Sequence, residues 1–203
     1  FLPKLSGGAA AMDEKTQRLT SQMHKAIAVI QFKLESQLFK KHPEWKMKDR
    51  CLFDHIDYRK GKVEIDGKEY DMTSCHFPTI DPDNPDKLSE EEEILIHKLH
   101  HSFMVCEKLH KHIKVMLQHG CMYAIFNNNL LFHASCPLNE DGSLKEVEIY
   151  PGKKFSGRAL MHHTGMQIRT AFQSDSDPNE KEYAIDYFIY LWCGPDSPLF
   201  DKS

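Results

Sequence analysis

The 203 residues fit one large domain or two small ones, and with 40% apolar and 28% charged residues they can enclose an ordinary soluble core. A formal net charge of −4 excludes a general attraction to nucleic acid or an anionic membrane, though not a local basic patch. No apolar run approaches the roughly 20 residues a membrane span needs, and no secretory signal pattern is read. The six cysteines, Cys51, Cys75, Cys106, Cys121, Cys136 and Cys193, share no C-x-x-C spacing. They read as reduced, mostly buried thiols of a cytoplasmic protein. The chain opens at Phe1 without an initiator methionine and stops in "GPDSPLFDKS", which reads as a piece of a longer polypeptide.

In chain order, Leu19, Met23, Ile27, Ile30, Leu34 and Leu38 step by three and four, so an amphipathic helix is predicted over 13–40. Asp13 and Glu14 favour its N-terminal end, and Pro43 closes it. Short helical turns follow through Met47 to Phe53. "KVEIDGKEY" alternates about Asp66-Gly67, the dipeptide of a type I′ hairpin, so 62–65 and 68–71 pair as strands. "FPTIDPDNPDK" (77–87) carries three prolines and three aspartates and is an ordered loop or linker.

Ser89 and Glu92 have capping-box spacing and open a long helix predicted over 89–119, with the stripe Leu95, Leu99, Phe103, Cys106, Leu109, Ile113 and Met116. Gly120 stops it. Two strands, "MYAIFN" and "LLFHAS", flank a turn at Asn127 to Asn129. "EDG" (140–142) turns into a third strand, "KEVEIY", and helices are predicted over 157–172 and 181–192. The fold class is α/β or α+β, helix-rich, with a short sheet in the C-terminal half. Residues 1–88 form a helical and hairpin accessory segment; 89–203 hold the long helix and the sheet.

Thirteen histidines raise the question of metal. His97 and His101 lie four apart on one helical face, but nothing nearby completes a zinc set, and a solvated face explains them. His110 and His112 point to different sides of a helix. His162 and His163 follow Arg158 on a helix and matter only beside an anionic ligand. His24, His42, His55, His76 and His119 sit in ordinary surface contexts.

His133 differs in kind. It ends the apolar run Leu130-Leu131-Phe132 and leads into Ala134-Ser135. Ligands are often mounted at the rigid end of a core strand. An imidazole satisfied by a nearby carbonyl explains the same letters, and the residues alone leave both readings open.

Several stretches carry a resemblance: "MHKAIAVIQFKLE" (23–35), "FPTIDPDNPDKLSEEEE" (77–93), "SFMVCEKLHKHIKVML" (102–117), "NNNLLFHASCPLNEDGS" (127–143), "SGRAL" (156–160) and "YLWCGPDSPLFDK" (190–202). In this order they resemble the bacterial class III fructose-1,6-bisphosphatases over nearly all of residues 20 to 202. The last motif is the most specific. The resemblance implies a calcineurin-like metallophosphoesterase: a β-sandwich flanked by helices, holding two divalent metals. In that family the ligands come as an early D-x-H, G-D-x-x-D-R-G, G-N-H-E/D, a lone histidine after an apolar strand, and a final G-H-x-P-like block. Only the lone histidine matches, on His133, with Ala134-Ser135 where the family often has Gly-Cys.

The other blocks are then expected before Phe1 and beyond Ser203, and the chain is an incomplete domain, inactive alone. Its partner is the remainder of its own polypeptide. The resemblance implies manganese as cofactor, a sugar bisphosphate as substrate, a gluconeogenic role in a bacterial cytoplasm, and room for a homo-oligomer. Lys153, Lys154, Arg158 and Arg169 are candidate cations for the second phosphate, since guanidinium binds phosphate bidentately; solvated loop and helix charge is the plainer explanation of all four. The rival from another class is a non-catalytic regulatory or oligomerisation module that pairs through the helices at 13–40 and 89–119.

Overall fold

The computed structural model describes residues 13–72, 75–150, 152–173 and 175–200. At the two ends, residues 1–12 and 201–203 lie outside the described residues. The chain divides into two compact units, one of residues 1–37 and 51–95, the other of 38–50 and 96–203. The class is α+β: five α-helices, and three small antiparallel sheets that share no strand, among the described residues.

In the first unit, α1 (Glu14–Lys41) begins where Asp13 accepts hydrogen bonds from the Thr16 amide and hydroxyl at 3.0 and 2.6 Å. Its predicted stripe holds only in part. Leu19, Met23 and Ile27 are more than half exposed, and burial begins at Val29 and Ile30. The reason is supply of partners: Phe53, Phe77 and Ile80 gather against the middle of the helix, with Phe53 in edge-on contact with Phe32 and Phe77. Three strands, β1 (Ile56–Asp57), β2 (Lys62–Ile65) and β3 (Lys68–Asp71), form a meander. The β2–β3 turn has positive φ at Asp66 (51°) and Gly67 (72°), as the predicted I′ turn requires.

The proline-rich stretch is a packed loop inside this unit. Lys33 donates from Nζ to the Thr79 carbonyl at 2.6 Å, and Gln37 to the Asp86 carbonyl at 2.6 Å. The same Lys33, fully buried, pairs with Glu92 at 2.8 Å. Glu92 in turn accepts from the Thr79 hydroxyl and the Ser89 amide, at 2.6 and 2.8 Å. The predicted capping box is therefore present, with the Ser89 hydroxyl accepting from the Glu92 amide at 3.3 Å.

The predicted long helix is two. The first, α2 (Glu90–Met104), stops at Val105, Cys106 is extended, and α3 (Glu107–His119) begins afresh. Val and Cys are poor helix formers, and Phe103, Met104 and Val105 are 56–63% exposed, so no packing compels continuity there.

In the second unit, β4 (Tyr123–Phe126) pairs with β5 (Asn129–Phe132), and β6 (Val147–Tyr150) with β7 (Lys153–Phe155). The expected single C-terminal sheet is thus a pair of separate hairpins. α4 (Gly157–Phe172) matches its predicted span. α5 (Pro178–Cys193) starts a turn earlier than expected, because Asp177 caps it by accepting from the Asn179 and Glu180 amides while Pro178 occupies the first turn.

The core of this unit is aromatic. Tyr150, Tyr183, Tyr187 and Tyr190 stack in sequence at centroid spacings of 4.9, 6.3 and 5.3 Å, with the fully buried Trp45 beside them. Tyr183 accepts from Trp45 Nε1 at 3.1 Å and donates to the Ile149 carbonyl. No disulfide joins the cysteines; Cys51 is buried, Cys136 and Cys193 are half-buried, and Cys75, Cys106 and Cys121 are exposed, against the mostly buried set expected.

Candidate functional site

The β4–β5 hairpin turns on Asn127 and Asn128, both at positive φ (49° and 60°), a conformation asparagine tolerates. A two-residue turn fixes the register, so Tyr123 faces Phe132 and Phe126 faces Asn129. The run ahead of His133 is apolar but not buried. Leu130, Leu131 and Phe132 are 42–56% exposed, and Ile125 and Phe126 on the partner strand more so. The strand expected to lie in a core thus presents apolar side chains on both faces of an uncovered hairpin.

His133 follows directly, exposed, at the base of that hairpin. The small residues after it do more than leave room. Ser135 donates from its amide to the Pro198 carbonyl at 3.4 Å and from its hydroxyl to the Ser197 carbonyl at 3.1 Å. The loop it grips is itself locked. Ser197 is fully buried and donates to the Leu191 carbonyl at 2.8 Å, Tyr190 donates to the Pro195 carbonyl, and Lys145 pairs with Asp196 at 2.8 Å. Gly194 ends α5 against Tyr190 so closely that a Cβ there would lie 2.5 Å from the Tyr190 carbonyl oxygen. Two stretches far apart in sequence, "NNNLLFHASCP" and "GPDSPLF", therefore meet two residues beyond His133. Spacing within either stretch shows no sign of this latch.

The four cations do not form one group. Lys154 sits in β7 opposite Glu148, and the Lys153 ammonium lies 5.7 Å over the Tyr150 ring. Arg158 is exposed in the first turn of α4. One turn on, His163 packs its ring against Phe155 at 3.6 Å. Burial, then the positive charge of His162 and Lys153, holds its pKa below the usual imidazole value. Positive groups therefore gather where α4 begins, the end at which the helix dipole also favours an anion. Arg169 is elsewhere, eleven residues along the same helix and so about 16 Å away. Its guanidinium makes two backbone bonds: Nη1 donates to the Gly165 carbonyl and Nη2 to the Gly120 carbonyl, each at 3.0 Å.

Among the histidines, His97, His101, His110 and His112 are exposed. His42 corrects the expectation of an ordinary surface residue. It is buried, stacked on Trp45 at 4.1 Å, and its ring nitrogens lie 3.0 Å from Glu44 and from Asp186. The proline that ends α1 folds it inward, the one local hint in "KKHPEW". Among the described residues no three of His, Cys, Asp or Glu converge as a metal cage. His133 thus stands as one donor, and the described residues do not themselves fit a pair of ions.

Comparison with known proteins identifies a family. Residues 1–203, the whole chain, match the family model described as Firmicute fructose-1,6-bisphosphatase. The chain belongs to that family. Over 203 residues it is 52% identical to a fructose-1,6-bisphosphatase class 3 of Parabacteroides distasonis and 48% identical to one of Bacteroides thetaiotaomicron. Over 202 residues it is 46% identical to one of Clostridium novyi. Each alignment takes in 100% of this chain and 30% of the relative, so the chain spans about a third of the length of these fructose-1,6-bisphosphatases. No solved structure matches. No helix among the described residues is long and apolar enough to cross a membrane.

Proposed function

We propose that this chain is part of a class 3 fructose-1,6-bisphosphatase, which hydrolyses fructose 1,6-bisphosphate to fructose 6-phosphate and phosphate in gluconeogenesis, in the cytoplasm. The observation that carries the proposal is the latch. In a chain whose full length matches that family, the lone-histidine stretch and the C-terminal stretch are hydrogen-bonded to each other directly behind His133. A side chain backed in this way is held where its geometry can serve a site.

His133 then supplies one imidazole to a metal centre completed by polypeptide outside this span. Imidazole with carboxylates suits manganese among the borderline divalent ions. A metal pair, when bound, supplies an activated water and neutralises phosphate charge. This chain's own share is to place His133 and to offer cations to the phosphate that is not cleaved. Lys154 and Arg158 suit that second task, being exposed at the start of α4. Arg169 does not, lying about 16 Å along the helix from Arg158. The apolar β4–β5 hairpin supports the same reading. Two strands alone are marginal in water, and strands apolar on both faces belong inside a covered sheet, so the remainder of the polypeptide is the natural cover.

Exposed Leu99, Phe103 and Met104 on α2 favour, as a second reading, a docking module for assembly without chemistry. One substitution separates the two. In the full-length protein, His133→Ala should bind metal below the wild-type stoichiometry and lose most phosphate release. Normal turnover and metal content in that variant would leave the docking module standing.

A further inference from the structure

Away from His133 and the start of α4, the second unit contains a hollow of about 360 Å³ between α3, α4 and α5. Its walls are apolar: Ile113 and Leu117 from α3, Ile168 and Phe172 from α4, Phe188 from α5, and Met122 from the strand entry. Phe172 and Phe188 meet edge to face at 5.9 Å and make a stiff corner. The size falls within the range of small-ligand sites, which are mostly apolar with a few fixed polar groups.

Arg169 is the one charged residue in this lining. The two carbonyl bonds from its Nη atoms leave three of its five N–H donors for another partner. Arg169 is exposed, and the same bonds fix where its guanidinium stands at the rim. No carboxylate pairs with it among the described residues, and no acidic residue lines the hollow. Among the described residues its charge therefore meets water and backbone carbonyls but no carboxylate, at the edge of an apolar chamber. A sugar phosphate would desolvate its hydroxyls against these walls without return, and a neutral hydrocarbon would leave the arginine unused.

We infer that this hollow binds a small amphiphilic anion, a carboxylate with an apolar tail, its head on Arg169 and its tail among Leu117, Ile168 and Phe188. Bidentate guanidinium–carboxylate bonding orients the head. Burial of the tail supplies affinity that grows with length, about fourfold for each added methylene. Nothing in the hydrolysis of a sugar bisphosphate calls for such a site, so it is a second site on the molecule, independent of His133.

The test uses the whole polypeptide that carries these residues, labelled with ¹³C at the methionine methyls and titrated with octanoate, hexanoate, octan-1-ol and acetate. Octanoate should shift the Met116 and Met122 methyls saturably. Hexanoate should bind about fifteenfold more weakly, from two fourfold steps. Acetate should leave both signals in place. Arg169→Gln should weaken octanoate at least tenfold and leave octan-1-ol unchanged. Because Arg169 also fastens the Gly120 carbonyl, Ile168→Phe serves as a second variant that fills the chamber and keeps the arginine; it should abolish binding. The inference is overturned if octan-1-ol binds as tightly as octanoate, if Ile168→Phe binds normally, or if no titrant gives a saturable shift.

Discussion

Among single residues, Glu92 has the most at stake. Burial pushes its carboxyl pKa up, yet hydrogen bonds from Lys33, Thr79 and the Ser89 amide outweigh that and hold it below the ordinary value of 4.5. A carboxylate with a depressed native pKa stabilises the fold above its unfolded value. That contribution is lost as pH falls below about 4.5 and through the native pKa. Glu92→Ala should cost about 3–5 kcal/mol in urea unfolding, since Lys33 would keep a buried charge with no counter-charge. Glu92→Gln should flatten the acid limb of the stability profile; an acid limb unchanged in Glu92→Gln would show that other carboxylates govern it. The sequence displays half of this arrangement. Ser89 and Glu92 stand three apart, so the capping box is legible. Lys33 lies 59 residues away on another helix, where no local spacing can announce it. His42 was misjudged for the same reason, because Asp186 is 144 residues distant.

At the scale of elements, local chemistry is legible wherever the chain decides its own course. Asp66-Gly67 requires positive φ and obtains it, and α4 runs from Gly157 to Phe172 because apolar spacing and flanking residues agree. Reading fails where continuity depends on packing. The stripe from Leu95 to Met116 keeps helical spacing across Val105 and Cys106, but spacing reports which face is apolar and not whether the backbone is unbroken. The caps give the element-scale prediction. Ser89→Ala and Asp177→Ala should each cost about 0.5–2 kcal/mol, whereas Asp177→Asn, which keeps an accepting oxygen, should lose little. A denaturation midpoint unmoved by Asp177→Ala would mean that Pro178 alone sets the start of α5.

For the whole molecule, the distinction is between what this chain holds and what its family needs. On the reading proposed above, a two-metal centre would take several ligands per ion and these residues would supply His133 alone, so the purified 203-residue chain should release no phosphate from fructose 1,6-bisphosphate, with or without manganese. Turnover above that of a His133→Ala chain, or stoichiometric binding of two metal ions, would show that the ligand set lies within these residues. Leu130, Leu131 and Phe132 were legible as core residues from composition alone, but not where their partners come from. A strand's letters record the environment it was selected for, and in these residues that environment is still open to water.

The tyrosine column of the second unit makes the molecule its own alkaline indicator. Burial lifts the phenols of Tyr183, Tyr187 and Tyr190 well above their usual value of 10, and that of Tyr58 in the first unit to about 12. Because the native state keeps these protons longer than the unfolded chain does, stability is intact below pH 10 and declines as base is added. An ultraviolet hydroxide titration tests this. The stacked phenols should stay silent and then ionise together, in one step that coincides with the loss of near-ultraviolet dichroism. Smooth ionisation of every tyrosine at one midpoint would mean that water already reaches the column, and that the ring spacings around Trp45 do not describe a closed core.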